Sequence, residues 1–220
     1  MIALDLIQDD IPVLNLSDDI STARGFFDDY KLRQIPVCGP SKFIGLIDED
    51  VVLNAKKNSL IKDLKKHLGQ EQILQHNNLF DALHFFRSSK LCLLPVVDKN
   101  NKYLGAIHER LLLQKICEIL KADNPGGIVH LQIRLLDYSL AQIAQIVEGN
   151  GAKILSTLCL PNSSNSEMIE VLIKINQEEL SGILQTFERY QYKIIASFHK
   201  NVFNKGLNDR FESFIRYLNI

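Results

Sequence analysis

The chain has 220 residues, a formal net charge of −1, 46% hydrophobic and 23% charged residues. Disorder needs fewer aliphatics and more net charge, so a folded chain is expected. No basic stripe appears, so the electrostatic footprint of a nucleic-acid partner is missing.

No apolar run approaches the ~20 residues of a membrane span, and no membrane partner is expected. Met1–Asp5 lacks the basic stretch of a secretory signal, which makes the cytosol the expected compartment. Cys38, Cys92, Cys117 and Cys159 form no C-x-x-C pair and lie in or beside apolar runs. They read as small buried hydrophobes in a reducing compartment.

The first half repeats itself. Ser17-Asp-Asp19 and Asn77-Asn78 offer side-chain oxygens that can cap a helix start. The helices open at Ile20-Ser-Thr-Ala23 and Leu79-Phe-Asp-Ala82, and each runs into a pair, Phe26-Phe27 and Phe85-Phe86. Strands Ile35-Pro-Val37 and Leu94-Pro-Val96 follow. The next strands, Phe43-Ile-Gly45-Leu-Ile47 and Tyr103-Leu-Gly105-Ala-Ile107, share a glycine. The proline-to-glycine spacing differs by one residue, which falls in the turns Cys38–Lys42 and Asp98–Lys102. An insertion there leaves strand register untouched. Further helices are predicted near Asp50–Asn54 and Glu109–Leu120, so each unit reads strand, helix, strand, turn, strand, helix.

This order and its duplication resemble a pair of CBS domains, with one repeat over 1–60 and the next over 61–122. The resemblance implies a pseudo-two-fold pair with a cleft that binds an adenosine-containing effector: AMP, ADP, ATP or S-adenosylmethionine. It implies ligand contacts at Arg33, Ile35, Pro36, Asp48, Leu94, Pro95, His108 and Arg110. Nucleotide binders of the family carry Thr or Ser after the second strand of the hairpin and Asp three residues later. Those places hold Asp48 and Val51 in the first repeat, and His108 and Leu111 in the second. A carboxylate at Asp48 repels phosphate, whereas His108 with Arg110 attracts it. The second repeat is therefore the expected anionic-ligand side. A pair kept only for packing and dimerisation is the alternative.

Asp123-Asn-Pro-Gly-Gly127 reads as a linker. Beyond it, Val129, Leu131, Ile133 and Leu135 alternate with His130, Gln132 and Arg134, as in a half-buried strand. A helix is predicted from Leu140 to Val147, with Leu140, Ile143, Ala144 and Val147 on one face and a stop at Gly149-Asn-Gly151. Strands follow at Ala152–Leu160 and Met168–Ile175, then a helix at Glu178–Tyr190 and a strand at Tyr192–Phe198. This βαββαβ order is ferredoxin-like, with one sheet face left to be covered.

Leu136–Ile143 followed by Gly149–Ile154 resembles an ACT domain, placed over 127–200. The family's strand-to-helix turn implies an amino-acid contact at Asp137, Tyr138, Ser139 and Leu140. Tyr138 and Ser139 stand where the family has Pro and Gly. In 201–220, Leu207, Phe211, Phe214, Ile215 and Leu218 fall on one helical face. The fold class expected is thus α+β with α/β character: a CBS pair of two βαββα repeats, a ferredoxin-like βαββαβ ACT domain and a C-terminal amphipathic helix. The whole resembles CBS–ACT accessory proteins of the acetoin-utilisation type.

No G-x-S-x-G, Walker, H-E-x-x-H or G-x-G-x-x-G string occurs, and no His pair lies at i,i+4 on a predicted helix. The expectation is a non-catalytic regulatory module with no required cofactor and no metal. Its expected partners are a second copy of itself, as a homodimer or higher oligomer, and a regulated protein that the sequence does not name.

Overall fold

The computed structural model describes residues 1–8, 10–40 and 42–198. The amphipathic segment 201–220 lies outside them. The chain divides into two compact units, Met1–Lys115 and Ile116–Ile220.

The first unit holds the two repeats. In the first, strand β1 (Leu14–Asn15) pairs parallel with β2 (Gln34–Cys38), and β2 pairs antiparallel with β3 (Phe43–Asp48). Helix α1 (Ile20–Tyr30) connects β1 to β2, and α2 (Glu49–Leu53) follows β3. The second repeat has the same plan: β4 (Ile73–Leu74), α3 (Leu79–Ser88), β5 (Leu93–Val97), β6 (Tyr103–His108) and α4 (Glu109–Ile119). Registers match: Pro36 faces Leu46 and Pro95 faces Ala106, and both hairpins shift register just past the valine. The extra residue of the second turn is absorbed without moving a ladder pair.

The helix starts form where the capping oxygens lie. Asp19 accepts from the Thr22 amide at 2.7 Å, and Asn78 accepts from the Phe80 and Asp81 amides at 2.8 and 3.2 Å. These bonds satisfy N–H groups that a first turn leaves unpaired. Strands β2 and β5 are buried along their whole length and pack against each other. Burying each of their aliphatic side chains stabilises the unit by roughly 1.5–3 kcal/mol. Phe43 and Tyr103, equivalent in the two repeats, stack with ring centroids 6.2 Å apart.

A further repeated element precedes β1 and β4. Ala3–Leu6 and Ile61–His67 are 3-10 turns, each closed by an aspartate, Asp5 or Asp63, accepting from the Ile2 or Leu60 amide. Each leader lies on the opposite repeat. The Ala3 amide donates to Asn77 O and the Ile61 amide to Asp18 O. Farther on, Gln8 bridges Ala106 and Gly69 bridges Leu46.

These crossings explain the repeated glycine. A Cβ on Gly45 would stand 2.6 Å from the Gly69 carbonyl oxygen and 2.7 Å from the Leu68 Cβ. On Gly105 it would stand 3.1 Å from the Ile7 Cβ.

The second unit is a four-stranded antiparallel sheet in the order β10-β7-β9-β8. Its elements are β7 (Gly127–Arg134), α5 (Leu140–Gly149), β8 (Ile154–Pro161), β9 (Met168–Ile175), α6 (Ser181–Arg189) and β10 (Lys193–Phe198). Numbered within the unit this order is 4-1-3-2, the ferredoxin-like arrangement. The buried face carries Val129, Leu131 and Ile133 of β7 with Val171, Ile173 and Ile175 of β9, covered by Ile143, Ile146, Val147, Ile183 and Phe187 from the helices.

Four expectations differ in detail. Leu135 leaves the β7 face and is 55% exposed, because Arg134 and Asp137 pair at 2.5 Å and close a 3-10 turn over Leu135–Asp137. Ile146, and not the 48% exposed Leu140, completes the buried face of α5. Helix α6 starts at Ser181, whose amide donates to the Glu179 carboxylate at 2.9 Å. Cys38 and Cys92 are buried as expected, but Cys159 is exposed because β8 is a sheet edge.

The glycine contacts predict an order of effects. Gly45→Ala should cost about 3 kcal/mol, since the obstacle is backbone. Gly105→Ala should cost less, and Gly149→Ala, with nothing within 4 Å of the new Cβ, should be near neutral. Urea unfolding followed by circular dichroism measures all three.

Candidate functional site

Two clefts lie at equivalent places in the first unit, and each is built from both repeats. In the first, the leader of the second repeat crosses the end of the first hairpin. Arg33, Gln34, Leu46 and Asp48–Val51 come from the first repeat, and Lys66–Gly69, Glu71 and Ser89–Leu91 from the second. The cavity measures about 680 Å³. The second cleft is its symmetry mate, lined by Gln8, Asp10 and Ile11 of the first leader, Tyr30, Leu32, His108, Arg110, Leu111 and Gln114. It measures about 280 Å³.

The two clefts are not chemically alike. In the larger one, acids cluster on the first-repeat wall (Asp48, Glu49, Asp50). Lys66, His67 and Lys90 come from the second repeat together with Glu71, and Arg33 from the first. Leu46, Val51, Leu68 and Leu91 supply apolar lining. Such a cavity suits a ligand with a flat apolar part, hydroxyls and negative charge.

In the smaller cleft, His108 Nδ1 accepts from the Arg110 amide at 3.0 Å. An accepting Nδ1 places the proton of a neutral ring on Nε2. The imidazole thereby occupies an N-terminal N–H of α4 that an anion would otherwise use.

Asp48 is the N-cap residue of α2 but makes no cap hydrogen bond. Its carboxylate accepts instead from Gln34 Nε2 at 2.7 Å. Gln34 is the one buried polar residue among those described, 9% exposed. Its Oε1 accepts from the Cys92 amide at 2.9 Å and from the Cys92 thiol at 3.5 Å. Burial raises the Cys92 thiol above its ordinary range, so the sulfur keeps its proton and can donate. Gln34 therefore ties the Asp48 wall to the second repeat. The equivalent place in the second repeat holds Leu93, so the smaller cleft lacks this tie.

Of the residues expected to touch a ligand, Arg33 and Asp48 line the larger cleft, and His108 and Arg110 the smaller. Ile35, Pro36, Leu94 and Pro95 are buried in β2 and β5, where alternate strand faces are both covered. Sequence reasoning missed Gln34, Lys66 and Lys90. The signal that could have found Lys66 is the leader repeat itself, Ile2-Ala-Leu-Asp-Leu6 against Leu60-Ile-Lys-Asp-Leu64.

The second unit has a separate cavity of about 550 Å³, lined by Gln132, Arg134, Asp137, Gln142, Tyr192 and Lys193 among others. The Tyr192 hydroxyl donates to Gln142 Oε1 at 2.7 Å, and Lys193 Nζ donates to Gln132 Oε1 at 2.6 Å. Burial first, then the Asp137 charge, raises the Tyr192 hydroxyl above its ordinary range and keeps it a donor. Asp137 alone of the four turn residues lines this cavity. Tyr138 packs on the domain core, and its hydroxyl accepts from the Cys159 thiol at 3.4 Å. Ser139 caps α5 by accepting from the Gln142 amide, and Leu140 is exposed. Among the described residues no group of three or more His, Cys, Asp or Glu could hold a metal ion, and no helix is long and apolar enough to cross a membrane.

Gln34→Leu copies the second repeat's residue but leaves the Cys92 amide buried and unpaired. It should cost about 1–3 kcal/mol in urea unfolding.

Residues 73–118, from β4 to within α4, match the family model of the CBS domain. A CBS domain pair/ACT domain protein from Thermotoga maritima is 19% identical, with a TM-score of 0.49 over 54% of this chain and 98% of that one. CBSX2 from Arabidopsis thaliana is 18% identical, with a TM-score of 0.49 over 55% of this chain and 96% of its own. A structure of CBSX2 in complex with AMP matches at 18% identity and a TM-score of 0.48, over 54% and 97%. The second repeat is thus similar to a CBS domain, and the first shares its element order and register.

Proposed function

We propose that this chain is a non-catalytic regulatory module that binds one adenosine-containing ligand in the larger cleft of its repeat pair. The observation that carries the reading is the 680 Å³ cavity whose two walls come from different repeats and differ in charge. Lys66 and Lys90 meet phosphate, or the carboxylate of S-adenosylmethionine. Asp48 and Asp50 accept hydroxyls, and Leu46, Leu68 and Leu91 face the base. A ligand touching both walls favours one arrangement of the repeats over others, which is what regulation requires thermodynamically.

His108 fills the anion position of the smaller cleft, which points to a single site per chain. A pair whose ligand sites are lost is favoured by one observation, the absence of the family's Asp at both Val51 and Leu111. We read the second unit as an ACT-like domain, with the cavity beside Asp137 taking an amino acid. Asp137 meets the ammonium, and Arg134 and Lys193 the carboxylate. The whole acts as a cytoplasmic homodimer on a protein partner.

Titration calorimetry with AMP, ADP, ATP and S-adenosylmethionine tests the nucleotide reading. The expected result is binding of one of them at a single site per chain, weakened about tenfold by Lys90→Ala and unchanged by His108→Ala. A ligand at 100 Kd should add about 2.7 kcal/mol of stability. Absence of binding by all four would favour the lost-site alternative.

A further inference from the structure

Two departures from the common plan of the repeats fall at one place. Helix α2 runs five residues, whereas its mate α4 runs eleven. The second leader is also longer than the first. Asp5 and Asp63 are equivalent, as are Leu6 and Leu64, and Ile7 and Leu68 each stand against a repeat glycine. The extra residues are Lys65-Lys66-His67, one added turn of 3-10 helix.

Every residue of that turn is basic and exposed. Side chains at i and i+3 of a 3-10 helix eclipse, so Lys62 stands on the same side as Lys65. The first leader has Leu4 in the place of Lys62. Among the described residues no carboxylate forms an ion pair with Lys62, Lys65 or Lys66. Asp63, the acid between them, accepts from the Leu60 amide at 2.9 Å.

The shortened helix and the lengthened leader meet around a pocket of about 330 Å³. Val51, Ala55 and Leu64 give it an apolar lining, and His67 joins it to the basic turn. Arg24 fixes the end of α2, its Nη2 donating to the Val52, Leu53 and Ala55 carbonyls at 3.3, 3.0 and 3.4 Å. The pocket wall is therefore formed in advance, which lowers the ordering cost of binding.

We propose that this place docks an acidic segment of a protein partner, with one aliphatic side chain in the pocket and carboxylates on Lys62 and Lys65. The inference rests on the reading of the chain as a module that acts on a protein partner, and it names the surface and the chemistry of the contact. An anchor in an apolar pocket supplies affinity, and the neighbouring cations select the charge of what carries it. Asp48, Glu49, Asp50 and Glu71 lie beside Lys66 in the larger cleft. A broad anionic surface would meet those acids as well as the lysines, whereas a single peptide strand can keep to the lysine side.

Fluorescence anisotropy of the full chain with labelled peptides tests this. The probes are a short glutamate peptide with one central leucine and its counterpart with serine for leucine. The leucine peptide should bind saturably at one site per chain, about tenfold tighter than the serine peptide. Lys62→Ala with Lys65→Ala should weaken it about tenfold. Lys99→Ala with Lys102→Ala, which removes the same charge from the second hairpin turn, should leave it unchanged. No saturable binding, equal binding of the two peptides, or equal weakening by the two double variants would overturn the proposal. The comparison of peptides leaves the protein untouched, so it decides even if a variant fails to fold. Phosphatidylserine vesicles bound more tightly than the peptide would assign the turn to a lipid surface and also overturn it. Nucleotide binding in calorimetry without peptide binding would sink this surface alone, and the reverse result would sink the cleft reading alone.

Discussion

The repeat pair depends on one close approach: the backbone of each repeat's leader laid directly on the other repeat's second strand. Leu46 and Gly69 exchange both amide hydrogen bonds at 2.8 Å, and the Gln8 amide donates to Ala106 at 3.0 Å. At Gly45 the Gly69 carbonyl leaves no room for a Cβ, and at Gly105 the Ile7 side chain crowds one, so the strand carries glycine at both crossings. Because the contact is reciprocal, neither repeat is complete alone. Each supplies the lid of the other's cleft, and the clefts exist only where the leaders cross.

That dependence explains what could be read in the chain. Strands Ile35–Val37 and Leu94–Val96 announce themselves by a shared proline, and Gly45 and Gly105 mark the crossing without showing what crosses. The leaders were hidden for two reasons. They are short 3-10 turns with no strong period, and the second is three residues longer before it meets its strand, as Ile7 against Gly105 and Leu68 against Gly45 show. The second unit was legible because its strands alternate cleanly, as Ile169, Val171, Ile173 and Ile175 do. Leu135 misled because alternation continues by chance past the point where the Arg134–Asp137 pair turns the chain.

The site was less legible than the fold, for a physical reason. Residue type at 48 suggested repulsion of phosphate, and residue types at 108 and 110 suggested attraction. Side-chain partners change both readings. Asp48 is bound sideways by Gln34, 14 positions away in sequence, and Lys66 and Lys90 of its cleft come from the other repeat. His108 spends its acceptor nitrogen on the helix amide two residues on. Local patterns report what a residue carries, and only long-range contacts report what it has left to offer.

The asymmetry at Gln34 and Leu93 carries the last step. A symmetric pair would offer two equal clefts, and a ligand in either would stabilise the pair alike. Here one position in β2 is an amide and its mate in β5 a leucine. The amide makes the wall of the larger cleft continuous, through Cys92, with the amide of Glu109 at the start of α4, which donates to Cys92 O at 3.0 Å. The larger cleft therefore has a hydrogen-bonded chain from Asp48 through Gln34 and Cys92 to the start of α4, and the smaller cleft has no such chain. The buried polar bridge of Gln34 holds one geometry because any other leaves the Cys92 amide unpaired.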